Sequence, residues 1–149
     1  MKIDIRHPAL VLLLAAGVAA PAFAANVNTG YFGNVAIKGY DPVAYFTDGK
    51  PTKGTDAFTY EWEGAVWKFA SEKDRSLFAA APDAYAPQFG GLCAEGVAYH
   101  ELSVNINPQS FRIIDGKLYL NYSAEFTDLP ANIPAAVSNW PKIKAALAK

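Results

Sequence analysis

The sequence predicts a small α+β domain that follows a secretory leader. Two pairs of strand-like segments, each joined by a tight-turn signal, indicate two β-hairpins. Helix-start signals at 41–42 and 71–74 indicate short helices before and after the first hairpin. No internal repeat and no long linker divides residues 25–149, so we expect one domain with a core at about 35–122 and a helical part at 123–149.

The N-terminus has the three parts of a secretory signal peptide. A basic start precedes an uncharged apolar run at 9–20, which ends at Pro21 and the small-x-small sequence 22–24. The run has about 12 residues, whereas a membrane-spanning helix needs about 20. We therefore expect that residues 1–24 are cleaved, that the protein is exported to the periplasm, and that the mature form has no membrane span.

Charge and cysteine content exclude several classes of function. Residues 25–149 carry 11 basic and 13 acidic side chains without a basic cluster, which excludes a nucleic-acid-binding surface. They contain one cysteine, Cys93, and one histidine, His100. A single cysteine cannot form an internal disulfide, and one chain cannot supply the four Cys or His ligands of a closed zinc site.

The first half of the domain should contain a strand, a capped helical turn and a hairpin. Residues 35–38 are predicted to form a short strand. Asp41 followed by Pro42 is typical of a helix start, because aspartate accepts amide hydrogen bonds at the N-cap and proline fits the first helical position. Residues 58–62 alternate between apolar and polar side chains, and we expect them to pair with 66–69 across a Glu-Gly turn.

The second half should contain helices on both sides of another hairpin. The sequence at 71–74 is typical of a helix N-terminus, and 83–88 predicts a second short helical or turn segment. Strands are predicted at 111–114 and 118–122, joined across an Asp-Gly turn. The C-terminal part should be helical but interrupted at its three prolines.

Cys93 and His100 are the first candidates for chemistry. Cys93 follows Gly90 and Gly91, where the backbone can adopt unusual dihedral angles and let a ligand approach. A thiol there is either a redox nucleophile, a soft metal ligand or a small buried packing residue. His100 is close enough in sequence to converge with Cys93 on one ligand, or else it is a histidine held by a single hydrogen bond.

Other candidates are polar or aromatic. Asp41 is best explained as a helix cap and Tyr40 as a core residue with a polar tip, but both are kept as candidate ligand-binding residues. Trp62, Trp67 and Trp140 are predicted to be core residues, with an aromatic pocket as the alternative. The chain has no hydrolase nucleophile elbow, phosphate loop, dinucleotide fingerprint or two-histidine metal motif.

Several strings along the chain carry a resemblance to a known family. They are KGYDPVAYF at 38–46, WKFAS at 67–71, PDAYAPQFGG at 82–91 with CA at 93–94, DGKLYLNY at 115–122 and NWP at 139–141. Together they resemble the exported bacterial branch of the YHS-domain family, over nearly all of the mature chain. YHS domains occur beside copper-transporting ATPases and in some multicomponent monooxygenases. The resemblance therefore implies a YHS-like α+β fold and raises copper or another transition-metal ion as a ligand.

The chain departs from the metal-binding YHS members at their cysteines. Ala44, Ala70 and Asp74 stand where those members have cysteine, so the metal role cannot be carried over through these positions. Any metal ion would need Cys93 and His100, completed by carboxylates, water or a second chain.

Three functions remain open. The leading hypothesis is a non-enzymatic periplasmic module that binds a small ligand or metal ion near Cys93, with Gly90, Gly91, Tyr40 and Asp41 as further ligand-binding residues. The second is a thiol redox protein that uses a single cysteine. The third is a structural or partner-binding domain in which Cys93 only packs.

Overall fold

The computed structural model describes residues 26–30, 33–100, 105–123 and 129–147. Within these ranges it contains two antiparallel β-hairpins, several short helices and one long C-terminal helix, which confirms the predicted α+β class. The predicted leader, residues 1–24, lies outside the described residues. None of the described helices is long and apolar enough to cross a membrane.

The secondary structure elements alternate between short helical segments and hairpins. In chain order they are the 3-10 turn η1 (Ala36–Gly39), α1 (Ala44–Thr47), β1 (Thr55–Trp62), β2 (Ala65–Phe69), α2 (Glu72–Ala80), α3 (Pro82–Tyr85), the 3-10 turn η2 (Gln88–Gly91), α4 (Ala94–Tyr99), β3 (Asn107–Ile114), β4 (Lys117–Asn121) and α5 (Leu129–Leu147).

The first hairpin pairs β1 with β2, as the alternation predicts. The side chains of Phe58, Tyr60 and Trp62 on β1 are half-buried, whereas their neighbours along the strand are exposed. Trp67 and Phe69 on β2 are fully buried. The hairpin therefore presents one aromatic face to the interior and one polar face to solvent.

Helix α2 packs against the aromatic face of this hairpin. Phe78, which is fully buried, lies with its ring centroid 6.1 Å from Tyr60, 5.8 Å from Trp62, 5.0 Å from Trp67 and 5.2 Å from Phe69. Tilted and edge-to-face ring pairs of this kind add about 0.5–1.5 kcal/mol each beyond the burial of their surface. This aromatic cluster fixes α2 on the hairpin.

The second hairpin pairs β3 with β4 across the predicted Asp-Gly turn. Helices α4 and α5 pack against each other, and α4 also contacts β4. The side-chain amide of Asn139 on α5 donates to the carbonyl oxygens of Val97 (3.1 Å) and Ala98 (2.9 Å). These carbonyls lie in the last turn of α4, where a helix lacks its regular amide donors, so Asn139 supplies a donor to Ala98 and a second one to Val97, which also accepts the His100 amide.

The strand predicted at 35–38 is wrong. Val35 makes one isolated bridge to Val66, and the following residues form the turn η1. Ile37 and Lys38 have positive φ angles of 40° and 57°, which a strand cannot contain. The Ile37 side chain is buried in the core, so tertiary packing overrides the β preference of this apolar segment.

The prediction that prolines interrupt the C-terminal helix is also wrong within 129–147. Pro134 and Pro141 lie inside the single helix α5, and Pro130 is in its first turn, where proline costs little. Both internal prolines are exposed. The buried side chains of α5 lie in a stripe on a different face from these prolines and recur every second turn, at Leu129, Ala136 and Ile143. Burial of this stripe against the domain keeps the helix continuous despite its prolines.

Candidate functional site

Asp41 is a structural cap. Its carboxylate accepts hydrogen bonds from the backbone amides of Val43 (2.8 Å), Ala44 (3.3 Å) and Ala70 (2.8 Å), which ties the start of α1 to the end of β2. Asp41 therefore accepts amides as predicted, but α1 begins at Ala44 with Val43 at the N-cap position, two residues later than the predicted helix start. Burial raises the pKa of the Asp41 carboxyl to about 6, although the three amide hydrogen bonds lower it. The negative charge of Asp74 also raises this pKa. Both carboxylate oxygens are engaged by the fold, so Asp41 does not present a free group to a ligand.

Tyr40 and Gly91 also have structural contacts. Tyr40 is half-buried, and the ammonium of Lys53 lies 4.6 Å from the centroid of its ring. Gly91 is buried with a φ of +78°, and a Cβ on it would lie 2.6 Å from Cγ2 of Ile37. The Gly91 carbonyl accepts a hydrogen bond of 2.9 Å from the side-chain amide of Asn28. Gly91 is therefore required for close packing against η1.

Cys93 lies immediately before α4 and inside the core. Its side chain is 6% exposed, and its thiol donates a hydrogen bond to Oδ1 of Asn121 on β4. Nδ2 of Asn121 and the hydroxyl of Ser110 on β3 are buried without a hydrogen-bond partner among the described residues. Asn121 is 1% exposed and Ser110 is 2% exposed, so both residues lie in the interior, away from solvent.

His100 is not brought to Cys93. His100 is exposed and ends α4 in the left-handed conformation, with a φ of 60°. The two residues lie at opposite ends of α4, roughly 10 Å apart along an axis that rises about 1.5 Å per residue. In the part of the chain that the structure describes, no group of three or more His, Cys, Asp or Glu side chains could hold a metal ion. The predicted metal pair is thus split between the core and the surface.

A cleft of about 160 Å³ opens beside Gly90, between the β1–β2 turn, the α3–η2 segment and α5. Its floor includes the buried rings of Trp67 and Phe89, and its walls include the half-buried rings of Trp62 and Trp140. The ring centroids of Trp62 and Trp67 are 5.9 Å apart, and those of Phe89 and Trp140 are 6.0 Å apart. The three tryptophans therefore line one pocket, and only Trp67 among them is fully in the core.

The rim of the cleft is charged. Glu63, Asp83 and Lys144 line it with exposed side chains, so the ionised rim carries two negative charges and one positive charge. Asn26 also lines the cleft, and its Nδ2 donates to the Glu63 carboxylate at 3.3 Å. The side-chain oxygen Oδ1 of Asn26 is buried and has no hydrogen-bond partner among the described residues.

Gly90 allows two backbone segments to pack closely at one side of the cleft. Its φ is +61°, and a Cβ on it would lie 2.2 Å from the backbone oxygen of Asn26. The Gly90 carbonyl accepts a hydrogen bond of 2.7 Å from the backbone amide of Asn28. A glycine at this position lets the segment 26–30 lie directly across η2. Of the five predicted ligand-binding residues, Gly90 is the one that lines the cleft; Cys93, Gly91, Tyr40 and Asp41 do not.

Sequence reasoning missed the polar residues of the cleft. Asn26, Glu63, Asp83 and Lys144 come from four separate segments, and no local motif connects them. The three tryptophans were the one signal in the sequence, because an aromatic pocket was the alternative to a core position for them, but their sequence did not show where such a pocket would lie.

No known protein family has a model that matches the chain, and neither the curated proteins nor the solved structures include a significantly similar one. The YHS resemblance therefore stays a prediction from the sequence strings. The candidate site rests on its own geometry.

Proposed function

We propose that this protein is an exported, non-enzymatic binding module of the YHS type, and that its aromatic cleft holds a small organic ligand. Ligand sites are typically concave and mostly apolar, with a few polar groups that orient the ligand. The cleft is concave and brings four aromatic rings together with several polar groups, and polar atoms make up the larger part of its accessible lining. The observation that carries the proposal is the convergence of Trp62, Trp67 and Trp140 on one solvent-accessible cavity.

The size of the cavity limits the ligand. Its volume of about 160 Å³ is below the roughly 300–1,000 Å³ of pockets that hold drug-sized molecules. The ligand should therefore be a small molecule with a single ring or a short aliphatic body.

The proposal places the ligand at the cleft instead of at Cys93. The Cys93 thiol is enclosed by the core and contacts Asn121, whereas Gly90, three positions earlier in the chain, lines the cavity.

The positions of the missing YHS cysteines favour an organic ligand over a metal ion. Ala44 and Ala70 donate their backbone amides to Asp41, and Asp74 acts electrostatically on the same carboxyl. All three positions thus adjoin Asp41, which supports a common scaffold with the metal-binding members. In this chain the region is occupied by alanine methyl groups and by a carboxylate whose two oxygens are already hydrogen-bonded.

Native mass spectrometry of protein isolated from the periplasm, at neutral pH and without chelator, tests the proposal. We expect a chain that begins at Ala25 and carries one small organic adduct. The adduct should be lost in Trp140→Ala, because this substitution removes one wall of the cleft. It should be retained in Cys93→Ala and in the control Tyr122→Ala, which removes an exposed ring outside the cleft.

Two results would contradict the proposal. An adduct that is lost in Cys93→Ala and kept in Trp140→Ala would return the site to the thiol. A bare mass in every preparation would favour a structural or partner-binding domain.

A further inference from the structure

We infer that the cleft selects a small organic cation, namely a primary ammonium group on an apolar body. This inference rests on the proposed function, in which the cleft binds a ligand, and it names the chemical class of that ligand. It follows from the aromatic walls, from a buried oxygen without a donor, and from the charges on the rim.

The aromatic walls favour a cation. A positive group over the face of an indole is attracted by the negative face of the ring, and tryptophan is the best of the aromatic side chains for this contact. Trp62 and Trp140 are half-buried in the walls of the cleft. The indole N–H of Trp67 already donates to the carbonyl of Trp62 at 3.1 Å. This N–H is therefore not available as a donor to an anionic ligand.

A buried oxygen requires a donor. Oδ1 of Asn26 accepts no hydrogen bond from the described residues, and a buried acceptor without a donor is unfavourable. Because the Nδ2 of the same side chain donates to Glu63, the orientation of the amide is set by the carboxylate. Because Oδ1 is closed off from solvent, a ligand N–H could pair with it only if the Asn26 side chain turned toward the cavity.

The rim adds a modest preference for positive charge. Glu63 and Asp83 provide two carboxylates, and Lys144 opposes them with one ammonium. All three side chains are exposed, so water and salt screen their effect on a bound ion. The rim therefore assists the aromatic walls and the Asn26 oxygen, and it does not dominate them.

A series of matched probes tests this class of ligand by the quenching of tryptophan fluorescence at neutral pH. The probes are 2-phenylethylamine, its N-trimethyl derivative, 2-phenylethanol and 3-phenylpropanoate, which share the phenylethyl body. We expect 2-phenylethylamine to bind about threefold to tenfold more tightly than 2-phenylethanol, because it adds a cation–π contact and charged N–H donors. The trimethyl derivative keeps the charge but lacks the donors, so it should rank between them. The carboxylate should bind most weakly.

Charge variants locate the preference on the rim. Glu63→Gln should weaken 2-phenylethylamine about threefold and leave 2-phenylethanol unchanged, since it removes a partly screened attraction. Lys144→Gln should strengthen the amine by about twofold for the opposite reason. Lys142→Gln is the matched control, because Lys142 is exposed on the same helix but does not line the cleft.

The outcomes separate this inference from the proposed function. Equal binding of the amine and the alcohol, or tighter binding of the carboxylate, would overturn the cation preference. If Trp140→Ala abolishes that binding, the cleft would remain a ligand site. The absence of binding by every probe, with an organic adduct in the native mass spectrum, would overturn the inference alone. The absence of both would overturn the inference together with the proposed function.

Discussion

The cleft and the Cys93 region differ in how accessible they are to solvent. The Cys93 thiol and its partner Asn121 are enclosed by core side chains and are almost inaccessible to solvent. In the cleft, Glu63 lies exposed at an opening between aromatic walls and accepts a hydrogen bond from Asn26, whose own side-chain oxygen is buried. A chemically reactive residue type therefore does not by itself locate a binding site. Both regions contain a buried polar atom without a partner among the described residues, so the accessible concavity is the feature that sets the cleft apart.

Asp41 resembles Cys93 in that its polar group is buried and already hydrogen-bonded within the fold. Three backbone amides donate to its carboxylate, and the group is fully buried. Its role is to join two secondary structure elements. A ligand could bind this carboxylate only by displacing the backbone amides that already donate to it.

The largest expected effect comes from Gly90→Ala, which would disrupt the side of the cleft formed by residues 26–30. We expect the free energy of unfolding to fall by about 2–4 kcal/mol, because the methyl group meets the Asn26 backbone and the φ angle is left-handed. Denaturant unfolding measures the loss. Gly116→Ala is the control, since Gly116 has a φ of +71° with nothing within 4 Å of its Cβ position, and it should cost about 1 kcal/mol. Equal losses in the two variants would contradict the close approach at Gly90.

A second prediction concerns the pH dependence of stability on the core side of the comparison. The pKa of Asp41 is raised from 3.8 to about 6 in the folded state, so the folded protein holds this proton more tightly than the unfolded chain. The stabilisation is complete below pH 3.8 and is lost as the pH rises through about 6. Between pH 4 and 7, wild-type protein should lose at most about 3 kcal/mol relative to Asp41→Asn.

Denaturant midpoints at several pH values measure this difference. Asp74→Asn should reduce the pH dependence, because the Asp74 carboxylate contributes to raising the pKa of Asp41. A wild-type protein that gains stability relative to Asp41→Asn over the same interval would show that the three amide hydrogen bonds outweigh burial.

The smallest effect on stability separates the two regions directly. Cys93→Ala should lower the free energy of unfolding by about 1–2 kcal/mol, as expected for a small buried side chain with one hydrogen bond. Its affinity for 2-phenylethylamine should equal that of wild type. Trp140→Ala should show the opposite pattern, with binding lost and a loss of stability limited by its partial exposure. Weaker amine binding in Cys93→Ala would contradict the separation of the two regions.

Elements defined by local patterns were predictable. The alternation at 58–62 depends on a repeat of two residues, and the first hairpin has the expected buried and exposed faces. Ser71 caps α2 as predicted, because its hydroxyl accepts from the Asp74 amide three residues away at 3.1 Å. The candidate site was less predictable: of its lining residues, Gly90 was named as ligand-binding, and the three tryptophans were named only as a possible pocket.

The sequence by itself determined the α+β class, the two hairpins and the capping role of Asp41, and it predicts export. These features depend on the side-chain period, on turn residues or on capping groups that lie within a few positions of one another. Only the tertiary structure decided that Val35 is followed by a turn and that α5 continues through its prolines, because burial of Ile37 and of one stripe of α5 outweighs local preference. It also decided the place of the cleft, since Asn26, Trp62 and Trp140 become neighbours only when separate segments pack together.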